Sequence, residues 1–220
     1  MKNIIAKISN KKAARVAGFG LLIIAIAGGF IFFVLDSIAI VPGDAAAKAF
    51  NNIRANEWLF GLFIVSVLIM VACNVVVVLA LYVLLKPVKK EFALLTVAFR
   101  LINTIIFAIN MVNLFIEPLL FNYIHLIGIV FYALHILVLG YLIFKSGYIP
   151  RILGVMLIIG GSLGYLIEVI TFFFFPNYAW LSSPGLTIGA IAEISLSIWL
   201  LLKSAKISSM IEEKMNTSEE

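Results

Sequence analysis

The sequence predicts an all-α integral membrane protein, a bundle of six transmembrane helices with both termini in the cytoplasm. Of its 220 residues, 64% are hydrophobic and 12% are charged, whereas soluble domains are about 45–50% apolar and about 25% charged. Several apolar runs exceed the roughly 20 helical residues that cross a hydrocarbon core about 30 Å thick. Basic residues cluster in alternate connections between these runs, which indicates a fixed orientation in the membrane.

The six predicted spans are separated by short polar segments that contain proline, glycine or charged residues. The spans are predicted at 16–40, 59–85, 92–116, 123–144, 152–173 and 185–202. The segments that end them are 41–44, 86–90, 117–118, 145–151 and 176–184. In the last of these, Tyr178 and Trp180 are predicted to lie at the membrane interface, as aromatic side chains with a polar end commonly do.

The two ends of the chain are predicted to be cytoplasmic tails, basic at 1–15 and polar at 204–220. The first apolar run is longer than the core of an ordinary signal peptide, and no clear cleavage site follows it, so we expect a membrane span. The basic tail either lies on an anionic inner leaflet or only sets the orientation. Residues 45–58 are predicted as a short surface segment, with Asp44 as a helix cap and Trp58 at the interface.

The distribution of lysine and arginine predicts which end of the bundle is cytoplasmic. Thirteen of the 16 lie in the two tails and in the turns after the second and fourth spans. The other connections hold only Lys48 and Arg54, and Arg100 lies within a span. Positive charge favours the cytoplasmic side, so both termini are expected there. This also accounts for the net charge of +5 without a nucleic-acid partner.

Arg100 lies well inside the third span, where an isolated charge costs about 3 kcal/mol and needs a partner or a wet cavity. A rise of 1.5 Å per residue places it about 12 Å above the inner boundary. The same rise places Asn74, His135 and Glu193, on three other spans, at about 14–16 Å. We therefore predict one polar layer, in which Arg100 pairs with Glu193 and the other two complete the network.

The third span also has a polar face that runs outward from Arg100. At 3.6 residues per turn, Arg100, Asn103, Asn110 and Glu117 fall within an arc of roughly 100°, with Asn113 beside it. This face either lines a water-filled pocket that opens outward, or belongs to an internal helix whose amides bond to neighbouring helices.

The fifth and sixth spans share a pattern of two glycines four residues apart, followed one turn later by glutamate. The residues are Gly160, Gly164 and Glu168, repeated as Gly185, Gly189 and Glu193. Small residues four apart let helix backbones approach closely, so we expect these two spans to pack tightly against each other or against neighbouring helices. Glu168 lies nearer the outer surface and is a candidate for the mouth of the pocket.

Several kinds of chemistry lack their usual motifs in this sequence. Cys73 is the sole cysteine, so no disulfide forms within one chain. His125 and His135 share one helix ten residues apart and cannot both ligate one metal ion. Metal-ligand, phosphate-loop and nucleophile motifs do not occur. We therefore predict no metal site and no cofactor, and the sequence favours a protein that is not an enzyme without deciding the question.

Several stretches carry a family resemblance that covers nearly the whole chain. They are KKAAR at 11–15, VPGD at 41–44, LYVLLKPV at 81–88, FRL at 99–101, LHILVLGYLI at 134–143 and SGYIPRILGV at 146–155. With these stretches the chain resembles the bacterial membrane proteins grouped as domain of unknown function 4386. The resemblance implies a multi-pass bacterial membrane protein and implies no particular activity.

Three functions are compatible with the polar layer. In the first, the protein binds or transports a small anionic or lipid-like molecule, which Arg100 holds by a carboxylate or phosphate group while Glu193 is the counter-ion of the empty site. The candidate ligand-binding residues are Arg100, Glu193, His135, Asn74, Asn103, Asn110 and Glu168. In the second, a membrane-embedded enzyme modifies a lipid with His135 and Glu193 as general base and acid. In the third, a structural or accessory subunit uses the layer only for helix packing. The expected partners are the lipid bilayer and such a ligand.

Overall fold

A computed structural model describes residues 2–39, 56–116 and 118–216 of the chain. These residues form helices almost throughout. The helices are α1 (Lys2–Ala39), α2 (Glu57–Leu85), α3 (Lys90–Ile116), α4 (Pro118–Ser146), α5 (Arg151–Phe174), α6 (Ser183–Leu202) and α7 (Ser204–Asn216). The first six each contain a segment long and apolar enough to cross a membrane, which confirms the predicted six-span fold.

The ends of the helices differ from the prediction in several places, of which three follow. Helix α1 begins at Lys2, so the predicted basic tail continues the first span as helix. Helix α2 begins at Glu57 because the side chain of Asn56 caps it, accepting a hydrogen bond of 3.1 Å from the Leu59 amide. A 3₁₀ helix, Pro176–Ser182, replaces most of the predicted fifth loop. The predicted turn at 41–44, together with Lys48 and Arg54, lies outside the described residues.

The bundle is apolar both inside and on its outer surface, as expected of helices that pack together in lipid. Helix α1 packs against α2, α6 and α7, and α3 packs against α2 and α4. The core is built mainly of leucine and isoleucine, among them Leu81, Leu139 and Leu196, each no more than 1% exposed. Large apolar side chains such as Ile26 and Leu68 point outward, where lipid would cover them.

One end of the bundle gathers the basic connections. There, Arg15 Nε donates to Ser204 Oγ at 3.3 Å, which joins α1 to the start of α7. The Tyr148 hydroxyl donates to the Leu84 carbonyl, which joins the α4–α5 turn to the end of α2. We call this end the basic face. Its described lysines and arginines include Lys11, Lys12, Arg15, Lys86, Lys89, Lys90, Lys145, Arg151, Lys203 and Lys206.

Helices α5 and α6 approach each other backbone to backbone, as the glycine pattern predicts. A Cβ on Gly164 would lie 2.7 Å from the carbonyl carbon of Gly185, and a Cβ on Gly160 would lie 2.9 Å from the Gly189 nitrogen. Both distances are too short for carbon, so only glycine fits. A similar contact joins α4 to α5 through Gly140 and Gly154, which the sequence analysis did not predict.

The middle of α5 contains a π-helical turn, Leu157–Ser162, between the α-helical segments Arg151–Met156 and Leu163–Phe174. Such wide turns are rare, and many occur at functional sites. Here the turn contains Gly160 and Gly161, and it packs against α4 and α6. The sequence pattern did not predict this turn.

Replacing Gly164 with alanine tests the α5–α6 contact. The added methyl group meets backbone atoms of α6 that cannot move independently, so Gly164→Ala should lower the free energy of unfolding by about 1–3 kcal/mol. Denaturant unfolding in detergent micelles, followed by circular dichroism, measures this change. The matched control is Gly61→Ala on α2, because nothing lies within 4 Å of its added methyl group. Equal stability of the two variants would contradict the close contact.

Candidate functional site

Arg100 is fully buried in α3, with 0% of its surface exposed, and it bonds to two other helices. Its Nε donates to Oδ1 of Asn74 on α2 at 2.8 Å. Its Nη1 lies 2.9 Å from Nε2 of His135 on α4. The structure therefore brings together three of the four residues that the sequence analysis placed in one layer.

The hydrogen bonds of His135 determine which of its ring nitrogens carries the proton. Its Nδ1 lies 3.0 Å from the carbonyl oxygen of Thr96, which can only accept a hydrogen bond. Nδ1 is therefore protonated. Because the guanidinium of Arg100 can only donate, Nε2 accepts with its lone pair. His135 is thus a neutral imidazole, and its tautomer is determined by a backbone carbonyl on α3.

Asn74 is oriented by its own helix. Its Nδ2 donates to the carbonyl oxygen of Met70 at 2.8 Å, one turn earlier on α2. This leaves Oδ1 facing the guanidinium as an acceptor. Asn74 and His135 both accept from Arg100 without carrying negative charge, so they satisfy two of the five guanidinium N–H groups but do not neutralise the cation.

The predicted ion pair between Arg100 and Glu193 is wrong for this structure. Glu193 instead accepts a hydrogen bond of 2.8 Å from the hydroxyl of Tyr132, and the Tyr132 ring lies 5.7 Å from Cζ of Arg100. The reason is the packing of the helices. Helix α6 packs mainly on α1 and α5, whereas α3 packs on α2 and α4, so Glu193 reaches the layer through Tyr132.

The polar face of α3 divides into two parts. Asn103 donates to the carbonyl oxygen of Gly128 at 2.9 Å and so joins α3 to α4. This agrees with the alternative in which the amides of this face bond to neighbouring helices. Asn110 is only 1% exposed, and both of its amide atoms lack a hydrogen-bond partner among the described residues. An unpaired buried amide costs about 1–3 kcal/mol, so this position calls for a polar partner. Glu117 lies outside the described residues.

Glu168 lies apart from the hydrogen bonds of Arg100. It is half-buried on α5, and its carboxylate makes no hydrogen bond to a described residue. Tyr165, three residues earlier, stacks edge-on against Tyr132, with ring centres 5.1 Å apart. Tyr132 therefore contacts both Tyr165 and Glu193.

The sequence analysis missed Tyr132 and the Thr96 carbonyl. Tyr132 precedes His135 by three residues on α4, a spacing that places both side chains on one helix face. The sequence could therefore have predicted that Tyr132 lies near the polar layer. The Thr96 carbonyl had no signal, because a backbone acceptor within a helix becomes visible only when a neighbouring side chain reaches it. Thr104 Oγ1 also donates to a carbonyl of α3, that of Arg100, at 2.7 Å.

One part of the guanidinium has no partner. Nη2 of Arg100 is buried and makes no hydrogen bond to a described residue. Its two N–H groups, on a cation that touches no carboxylate, are suited to an anionic oxygen. The arrangement therefore leaves two N–H donors of a buried cation without an acceptor among the described residues.

Six apolar helices around a buried cation define an α-helical, multi-pass integral membrane protein. The sequence matches the family described as Domain of unknown function (DUF4386) over residues 16–117 and 118–204, and the chain belongs to this family. It is similar to an uncharacterized protein of the archaeon Archaeoglobus fulgidus, with 30% identity over 151 residues, which cover 67% of this chain and 87% of that protein. No solved structure matches the chain. The resemblance found in the sequence is thereby confirmed.

The tautomer of His135 can be tested directly. Nitrogen-15 NMR of the protein in micelles should show Nδ1 protonated and Nε2 unprotonated at neutral pH, because Thr96 accepts from one nitrogen and Arg100 donates to the other. The variant His125→Gln leaves His135 as the one imidazole in the spectrum. A proton on Nε2 would contradict the network, and Arg100→Leu should remove the hydrogen-bond shift of Nε2.

Proposed function

We propose that this protein is a membrane-embedded binding protein that holds the anionic group of a small or lipid-like molecule at Arg100. One observation carries the proposal. Arg100 is a fully buried cation whose contacts are neutral, and its Nη2 has no partner among the described residues.

Electrostatics favours an anion at this position. Placing a charge inside a span costs about 3 kcal/mol of free energy on membrane-insertion scales, which give lower values than simulations. Hydrogen bonds to neutral acceptors recover only part of that cost. An anionic oxygen on Nη2 adds an attraction between opposite charges, which is stronger inside the bundle than in water. Glu193, the acidic residue predicted to pair with Arg100, is instead engaged by Tyr132.

The neighbouring groups prepare Arg100 for such a ligand. Asn74 and His135 hold the guanidinium in one orientation, so little side-chain freedom is lost when a ligand binds. Asn110 lies ten residues further along α3, about 15 Å away at the helical rise. A single small anion does not span that distance. An elongated molecule does, with its anionic end at Arg100 and another polar group at Asn110.

A structural role is the second candidate, and a different observation favours it. The bonds from Arg100 to Asn74 and His135 tie α3 to α2 and α4. Removing the guanidinium would leave both acceptors buried and unpaired. The lipid-modifying enzyme is less favoured, because both ring nitrogens of His135 are already occupied and neither is free to act as a general base.

The variant Asn74→Asp separates binding from structure. It places a carboxylate against Nε of Arg100 with almost no change of shape, so the contact between α2 and α3 is kept while the cation is neutralised, and only the hydrogen bond from this side chain to the Met70 carbonyl is lost. Binding of a long-chain carboxylate probe, dodecanoate, should weaken about tenfold or more, and circular dichroism should show that the variant is folded. Native mass spectrometry measures binding, and it also detects ligands that co-purify with the wild-type protein.

Two further variants provide controls for this experiment. Glu193→Gln removes a negative charge near the site, so dodecanoate should bind equally well or more tightly. Arg100→Gln should abolish binding. Unchanged binding in Asn74→Asp would overturn the proposal. Unfolding of Arg100→Gln and Arg100→Lys, together with a wild-type protein that binds no anionic probe, would support the structural role.

We infer that the protein lies in the cell membrane with the basic face, and so both termini, in the cytoplasm. Cysteines introduced in a Cys73→Ser background test this orientation. Glu57→Cys lies at the end of the bundle opposite the basic face and Ser209→Cys lies on α7, and both positions are exposed. A membrane-impermeant maleimide should label Glu57→Cys in intact cells and Ser209→Cys only after permeabilisation. The reverse pattern would overturn the orientation.

A further inference from the structure

The basic face contains a cavity of about 370 Å³, far along the bundle from Arg100. It lies between the α4–α5 turn, the end of α6 and the first half of α7. Its walls are residues 147–151, Trp199, Lys206 and Met210. Small-molecule sites commonly have volumes of about 300–1,000 Å³, so the cavity can admit a polar headgroup.

Among the described residues that line the cavity, two are cations and none carries a carboxylate. Arg151 and Lys206 come from α5 and α7, and both are exposed. The guanidinium of Arg151 lies over the ring of Phe144, with Cζ 5.7 Å from the ring centre, which limits its freedom. Positive charge therefore reaches the cavity from two helices, α5 and α7. The guanidinium of Arg151 is already oriented by its contact with the Phe144 ring.

One lining residue, Trp199, also carries an unused hydrogen-bond donor. Nε1 of Trp199 is buried and has no partner among the described residues. An indole N–H can only donate, and a buried one usually finds an acceptor. Trp199 is one of the lining residues, so its ring has to turn for this buried N–H group to meet an acceptor held in the cavity.

The turn that forms one wall is held firmly. Gly147 adopts a left-handed backbone with φ of +81°, which glycine accommodates without strain. Next to it, the hydroxyl of Tyr148 donates to the Leu84 carbonyl. Burial raises the pKa of Tyr148, so the hydroxyl stays protonated and keeps this bond. The cavity is therefore shaped before a ligand binds.

We propose that this cavity binds the phosphate group of an anionic membrane lipid. Arg151 and Lys206 supply the charge, and the Trp199 N–H supplies a directed hydrogen bond. The site uses none of the residues around Arg100 and does not depend on the function proposed for them.

Its position and its apolar walls favour a lipid over a free phosphate ion. Basic residues at one membrane face attract anionic headgroups, and tryptophan side chains prefer that depth. Ile149, Pro150 and Met210 add apolar surface that a bare ion would not use. Phe144, beneath Arg151, is 38% exposed on the side of the bundle and could contact the chains of the same lipid.

Lipid titrations of the full-length protein, followed by native mass spectrometry, test this site. Phosphatidylglycerol should bind more tightly than phosphatidylcholine, because the second headgroup carries no net charge. Arg151→Gln and Lys206→Gln should each weaken phosphatidylglycerol binding about fivefold. Lys203→Gln is the matched control, since Lys203 is exposed on the same face within one turn of Lys206 but does not line the cavity. It should leave affinity unchanged.

Trp199→Phe removes the N–H group and keeps most of the ring, so it should weaken binding about threefold to tenfold. Circular dichroism and size-exclusion chromatography check that each variant is folded. Three results would each overturn the proposal: equal binding of both lipids, an equal loss in Lys203→Gln, or inorganic phosphate competing at the affinity of the lipid. The first two indicate no specific site, and the third indicates a site for a soluble ion.

Discussion

A buried guanidinium is the constraint on which the middle of this bundle depends. Arg100 cannot reach water from its position in α3, so its N–H groups must find acceptors inside the protein. Asn74 and His135 meet that need from α2 and α4. Each acceptor is in turn held by a backbone carbonyl, of Met70 for Asn74 and of Thr96 for His135. The orientation of three helices about their own axes is therefore coupled to one side chain.

The second half of the chain is organised by small residues instead of charge. Glycines let α5 approach α6, and another pair lets α4 approach α5, at distances that leave no room for a methyl group. Helix α4 belongs to both arrangements. It contributes His135 and Tyr132 to the polar layer and Gly140 to the glycine contacts, and Tyr132 connects Arg100 to Glu193. Glu193 consequently influences Arg100 at a distance and does not neutralise it by contact.

The two candidate binding sites differ in their surroundings, and this changes what a cation does in each. At Arg100 the charge is enclosed by protein, so a partner of opposite charge gains from a low dielectric and must lose its own hydration. On the basic face Arg151 and Lys206 stay exposed, so their attraction is weaker, sensitive to salt and suited to reversible contact with headgroups. One chain thus presents positive charge at two depths of the membrane, with different requirements for a ligand.

The sequence by itself determined the class of protein, the six spans and the depth of the polar residues, because these follow from composition, run length and a constant helical rise. Depth was enough to group Asn74, Arg100 and His135. The glycine pattern was enough to predict close helix packing, which the structure places between α5 and α6. The tertiary structure alone decided that Tyr132 and not Arg100 meets Glu193, that Asn110 is left unpaired, and that α5 contains a π turn. Residues at one depth can face any direction around a bundle. The direction depends on which helices are neighbours and on how each is rotated, and packing over the whole chain sets both.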